Sequence, residues 1–182
     1  HAFPATARPS VVMTVKAIDY EKMEACAQKG VSVRTMSDLR WRRPDIKSIS
    51  LLPNVLAKQA ARSAGAYEAW FVDDQGFVTE GSSSNAWIID AAGRLITRPL
   101  GPAILAGTIR HALLSIAPVL QLKVEERSFT VAEAKAAKEA FLTAATNFVM
   151  PVVEIDGMPI GDGRPGPVAL RLRRAYEDKS LT

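Results

Sequence analysis

The chain has 182 residues, 48% hydrophobic and 23% charged, with a net charge of +4, the balance of a globular domain long enough to bury a sizeable core. Its basic residues are scattered except at 40–47 and 171–174, with no continuous stripe and no interleaved aromatics, which argues against nucleic-acid binding and for a local anion site. No apolar run is long enough to span a membrane, no signal peptide is visible, and the single Cys26 excludes an internal disulfide and suits a reducing, cytoplasmic setting.

The sequence opens on His1 rather than Met, and a β-branched, strand-like run over 9–18 has no element before it. That opening is expected of a fragment or a processed segment. Asp19 is placed to cap a short helix that Gly30 stops; Cys26 lies on this surface helix and reads as incidental rather than nucleophilic. "VSVRTM" (31–36) alternates as a strand. "LPNVLAKQAARSAG" reads as a helix, with Asn54 available as its cap, Ala, Leu, Lys and Gln favouring it, and Gly65 ending it. "AYEAWFVDDQGFVTE" is two apolar runs joined by the turn "DDQG", with Tyr67 and Trp70 expected in the core, and "NAWIIDAAGRLITRP" repeats that pattern around "DAAG". "AGTIRHALLSIAPVL" is a helix opening directly after a glycine, with His111 a packed or surface residue inside it. "LKVEERSF" is a strand. Thr130 then caps "VAEAKAAKEA", with Glu133 at the capping-box position. "AFLTAATNFVMPVVEIDGMPI" supplies two more strands and a turn at Asp156 and Gly157. "GDGRPGP" is a loop before a closing amphipathic helix. Strands outnumber helices and many are hairpin-linked, which predicts an α+β fold: a mixed, largely antiparallel pseudo-barrel or curved sheet flanked by helices.

Three polar stretches interrupt this apolar pattern. "LRWRRPDIKS" places Arg40, Arg42, Arg43 and Lys47 within eight residues beside one carboxylate, Asp45; a solvated basic strand end would look the same. "TEGSSSN" (79–85) sits where strands should pack, although the turn is already supplied by 73–76. It reads as a polar crossing through the interior, where the carboxylate of Glu80 needs a partner. "LAGTIR" starts a helix with free N–H groups and a hydroxyl, a good phosphate cup but a common one. Together these parts fit pyridoxal phosphate, which needs a lysine for a Schiff base, an acid against its ring nitrogen and an anion cup.

"LRWRRPDIKSISLLPNVLAKQAA", "VTEGSSSNAW" and "ILAGTIR", in that order, resemble the motifs of the class IV pyridoxal-phosphate aminotransferases, nearest to the members that act on D-amino acids. Branched-chain aminotransferases and aminodeoxychorismate lyases share that fold and cofactor. The resemblance covers nearly the whole chain and implies roles residue by residue. Lys47 matches the Schiff-base lysine and Glu80 the carboxylate facing the ring nitrogen. Arg40 matches the arginine near the ring hydroxyl, where branched-chain enzymes usually carry a tyrosine. Leu105 matches the leucine under the ring, Gly107, Thr108 and Ile109 match the phosphate-binding helix start, and Ser82, Ser84 and Asn85 match residues lining the crossing beside the ring. Thr146 is the remaining hydroxyl of "TAATN", His1 matches a histidine that recognises the substrate carboxylate across a dimer interface, and Trp87 is a candidate neighbour of the ring.

Two departures accompany the match. The family's small N-terminal domain, with its own phosphate and substrate contacts, does not precede His1, and the helix start reads Gly-Thr-Ile where Gly-Ile-Thr is usual. The domain division expected is therefore 1–20 as the end of the small domain or a linker, and 21–182 as the pyridoxal-phosphate-binding catalytic domain. The implied partners are amino acids, 2-oxo acids, a second copy in a homodimer, and a separate N-terminal segment of the same protein. Lys47 acting as a base must be neutral part of the time, which partial burial and the charge of the 40–43 cluster are expected to favour. The alternatives left open are a lyase, a branched-chain aminotransferase and a non-catalytic cofactor-binding fragment.

Overall fold

The structure, a computed structural model, describes Ala2 and residues 4–180. Helix α1 (Tyr20–Lys29) begins where Asp19 accepts from the Lys22 amide at 3.0 Å and ends at Gly30, whose φ of 75° is the left-handed turn expected of a glycine stop. Strand β1 (Val31–Ser37) leads through the basic segment to α2 (Leu52–Ser63). Asn54 does not cap α2. Leu51 occupies that position without a side-chain bond, Pro53 sets the first turn, and the Asn54 amide instead donates to the Ser82 carbonyl at 2.8 Å.

The hairpin of β2 (Glu68–Val72) and β3 (Val78–Gly81) is followed by that of β4 (Asn85–Ile89) and β5 (Leu95–Thr97), with turns at the two segments expected. Helix α3 (Thr108–Ile116), strand β6 (Val124–Glu126) and helix α4 (Val131–Lys135) come next. The Thr130 capping box closes in both directions, at 2.8 and 3.1 Å, but α4 stops at Lys135, because Glu139 and Ala140 are drawn into the sheet. Strands β7 (Glu139–Ala144), β8 (Phe148–Ile155) and β9 (Met158–Pro159) precede α5 (Pro167–Ser180). The turn between β8 and β9 has positive φ at both Asp156 and Gly157, the left-handed pair that lets a tight hairpin follow the sheet's twist.

Residues 9–18 form no strand. Val11, Val12, Met13 and Val15 are more than 80% exposed; β-branched residues favour an extended chain, but a strand exists only where a neighbour takes its hydrogen bonds.

One sheet in the order β3-β2-β1-β8-β7-β4-β5-β6, with β9 on β8, organises the described residues. Five of its eight pairings are antiparallel, as expected of a mixed, largely antiparallel sheet. The sheet curls until its ends meet: Val78 of β3 donates to Phe129, just past β6, at 3.0 Å, and Phe77 bridges to Thr130. This is the pseudo-barrel.

Strand alternation sorts side chains into two cores. Ala86, Ile88, Ile96, Ala140, Leu142 and Met150 join Trp70, Val33 and Phe129 on one face. Trp87, Ile89, Leu95, Phe141 and Val149 join α3 and α5 on the other. Trp87 is therefore wholly buried and stacked on Phe141, 5.6 Å between centroids, and is a core residue rather than a lining of the cavity described next.

Candidate active site

Because β3 ends one edge of the strand order and β4 lies in its other half, the chain must cross between them at 82–84. Glu80 stands just before the crossing and Asn85 just after it, and the two side chains meet: the Asn85 amide donates to Glu80 Oε2 at 3.0 Å and to the Leu105 carbonyl at 3.0 Å. The Leu105 N–H in turn donates to both Glu80 oxygens at 3.2 and 3.1 Å. The carboxylate predicted to need partners in the interior has them.

Arg40 supplies the remaining one. Its guanidinium is 4% exposed, lies 4.6 Å over the Phe71 ring, and binds Asp38 through Nε at 2.8 Å and Nη2 at 2.7 Å while Nη1 donates to Glu80. One cation thus serves two carboxylates. Burial would raise Asp38, but its bonds to Arg40 and Thr79 outweigh that and hold it below the usual range. Glu80 goes the other way. Burial, with help from the Asp38 charge, outweighs the attraction of Arg40 and raises it from 4.5 to about 7. Arg40, which the resemblance places near the ring hydroxyl, pairs here with Asp38 and Glu80 and lines the cavity.

Arg40 and Glu80 line a cavity of about 470 Å³, whose wall also includes Lys47, Ser82, Ser84 and Leu105. Lys47 is exposed rather than partly buried. Arg40 is spoken for, and Arg43 pairs with Asp45 at 2.8 Å. Lys47 itself has no ion pair or side-chain hydrogen bond among the described residues.

The start of α3 is not part of this cavity wall. Gly107 precedes it without capping the helix through a side chain, so its first N–H groups lack a side-chain acceptor; Thr108 is exposed and Ile109 buried. Asn85 joins this helix start to the crossing: a Cβ on Gly107 would lie 2.2 Å from Asn85 Oδ1. Asn85 also pairs in register with Thr143, which brings the exposed Thr146 of the β7–β8 turn to the same end of the sheet. His1 lies outside the described residues. His111 is exposed on α3 and Cys26 half-buried on α1.

Sequence reasoning missed Glu68 and Lys58. Glu68, its side chain 2% exposed, accepts from the hydroxyls of Ser82 at 2.5 Å, Ser83 at 3.0 Å and Ser84 at 3.4 Å, and from the Ala69 amide at 2.8 Å. The signal was present in "AYEAWF": an acid inside an apolar strand requires buried partners, and the three serines are those partners.

An unpaired lysine, a buried carboxylate near neutrality and a helix start open to an anion form a set suited to pyridoxal phosphate. Sequence comparison agrees with that chemistry. The profile of the family described as amino-transferase class IV matches residues 2–155. The chain belongs to the class IV aminotransferase family. Its D-alanine aminotransferase relatives include that of Bacillus licheniformis, 39% identical over 182 residues, covering 100% of this chain and 63% of the relative. That of Staphylococcus aureus (strain N315) is 39% identical over 97% of this chain and 62% of its own length. This class IV chain therefore spans less than two thirds of the length of these relatives. Among solved structures, a T.th. branched-chain amino acid aminotransferase with pyridoxamine 5'-phosphate superposes with a TM-score of 0.76 at 33% identity, covering 85% of this chain and 53% of that one.

Proposed function

We propose that this chain is the pyridoxal-phosphate-binding part of an aminotransferase that moves the amino group of D-amino acids to 2-oxo acids. Residues 21–182 would form the catalytic domain, and residues 1–20 would lead from a small N-terminal domain. The observation that carries the reading is that unpaired Lys47 and buried Glu80 line one cavity. When bound, the cofactor supplies an aldehyde that condenses with amines and a ring that accepts electrons.

The chain's own residues do the rest. Lys47 Nζ, free of an ion pair, is available both to hold the cofactor and to carry a proton to and from the substrate's Cα. Glu80 would present its carboxylate to the ring nitrogen, with its oxygens held by the Asn85 amide and the Leu105 N–H. Ser82 and Ser84 line the wall, while the N–H groups at Gly107, Thr108 and Ile109, with Thr146, would receive the phosphate. Ile46, Leu51 and Val55, about half exposed around the cavity, suit burial against a second copy in a homodimer.

Preference for D-amino acids is supported by Arg40 and by the names of the relatives. A branched-chain reading is favoured by the structural neighbours. Assay of the whole protein with D-alanine and with L-leucine, each against 2-oxoglutarate, separates the two. Turnover of D-alanine is expected, and turnover of L-leucine alone would overturn the assignment.

A further inference from the structure

Two lysines line the cavity, Lys47 and Lys58, and an aldehyde can condense with either. Their surroundings differ. Lys58 projects from α2 with its ammonium 3.2 Å from Glu68 and 4.9 Å over the Tyr67 ring, whereas Lys47 has no such partner. Glu68 is the buried carboxylate under the crossing, with four hydrogen bonds besides this ion pair.

We infer that Glu68 is a positioning residue that decides which lysine the cofactor takes. Condensation joins the amine nitrogen to the aldehyde carbon and releases water. At Lys58 the ammonium must first lose its proton to solvent, since only the neutral amine condenses, and that loss would leave the buried Glu68 carboxylate without its counter-ion, which burial opposes. At Lys47 no ion pair is broken. The same carboxylate holds the three serine hydroxyls, so the device that shapes the crossing also withholds the second amine. This inference rests on the Schiff-base reading above.

The test uses pyridoxal phosphate with the full polypeptide, followed by borohydride, which adds hydride to the C=N bond and fixes the label for peptide mapping. The parent should carry label on Lys47 alone. Lys47→Ala should leave Lys58 unlabelled while Glu68 is intact, and Lys47→Ala with Glu68→Gln should move the label to Lys58. Label on Lys58 in Lys47→Ala alone would overturn the inference and leave the Schiff-base reading standing. So would a folded double variant with Lys58 unlabelled. Should the double variant not fold, the Lys47→Ala result decides: unlabelled Lys58 upholds the inference and labelled Lys58 sinks it. A parent without label on any lysine would bring down both this inference and the reading beneath it.

Discussion

Arg40 is shared between Asp38 and Glu80, and that sharing governs how the site responds to pH. With Asp38 held ionised, Glu80 keeps its proton in the folded chain up to about 7 but loses it near 4.5 when unfolded. Folding therefore takes up a proton between those values, and stability should fall as pH rises through that window, by on the order of 2–3 kcal/mol. Glu80→Gln cannot titrate. Urea midpoints measured on both sides of the window should converge for the variant and diverge for the parent; parallel profiles would show that Glu80 does not hold this proton. In the loaded enzyme the same change should slow proton transfer by about 3 kcal/mol of transition-state stabilisation, read as a fall in kcat with cofactor still bound. Asp38→Asn is the complementary change. It leaves Arg40 to Glu80 alone and should move the titration downward, visible as a stability profile that flattens at lower pH.

At the scale of elements, the crossing at 82–84 and the start of α3 are locked together by close approach. Gly107 has an ordinary helical-entry φ of −67°, so alanine there meets no backbone strain; its Cβ would meet Asn85 Oδ1 instead. Gly107→Ala should displace Asn85, cost about 1–3 kcal/mol of stability and weaken cofactor binding, seen as a lower thermal midpoint and a larger dissociation constant. Unchanged affinity would separate the helix start from the site. The hairpin turns, the capping box of α4 and the glycine stop of α1 were all legible locally, because each depends on residues within a few positions of one another. The strand expected at 9–18 and the cap expected from Asn54 failed for the opposite reason. One needed a neighbouring strand, and the other residue was claimed by the Ser82 carbonyl 28 positions away.

Across the whole molecule, a few buried cations tie helices to the curled sheet. Arg173 of α5, its side chain 2% exposed, donates to the carbonyls of Asn147 and Val149 at 3.0 and 2.9 Å and pairs with Glu24 of α1 at 3.0 Å. Arg173→Met keeps the apolar stem but removes the donor to two carbonyls and the counter-ion of Glu24 and Glu177, and should cost about 3–5 kcal/mol in a denaturant titration. A loss below about 1 kcal/mol would mean that water replaces the guanidinium. The long-range pairings that close the sheet, β3 against the segment after β6, place the cavity between parts of the chain that no local pattern joins.

The sequence by itself determined the α+β class, most strand and helix positions, the order of the polar motifs, and the resemblance that ranked Lys47 and Glu80 first. Those follow from period-two and helical patterning, from turn chemistry and from residue types at short spacing. Only the tertiary structure decided who partners whom: Arg40 with Asp38 and Glu80, Trp87 in the core, and Glu68 with the three serines and Lys58. Ion pairs and buried hydrogen bonds depend on through-space proximity and desolvation, and both are set by how the sheet curls rather than by spacing along the chain.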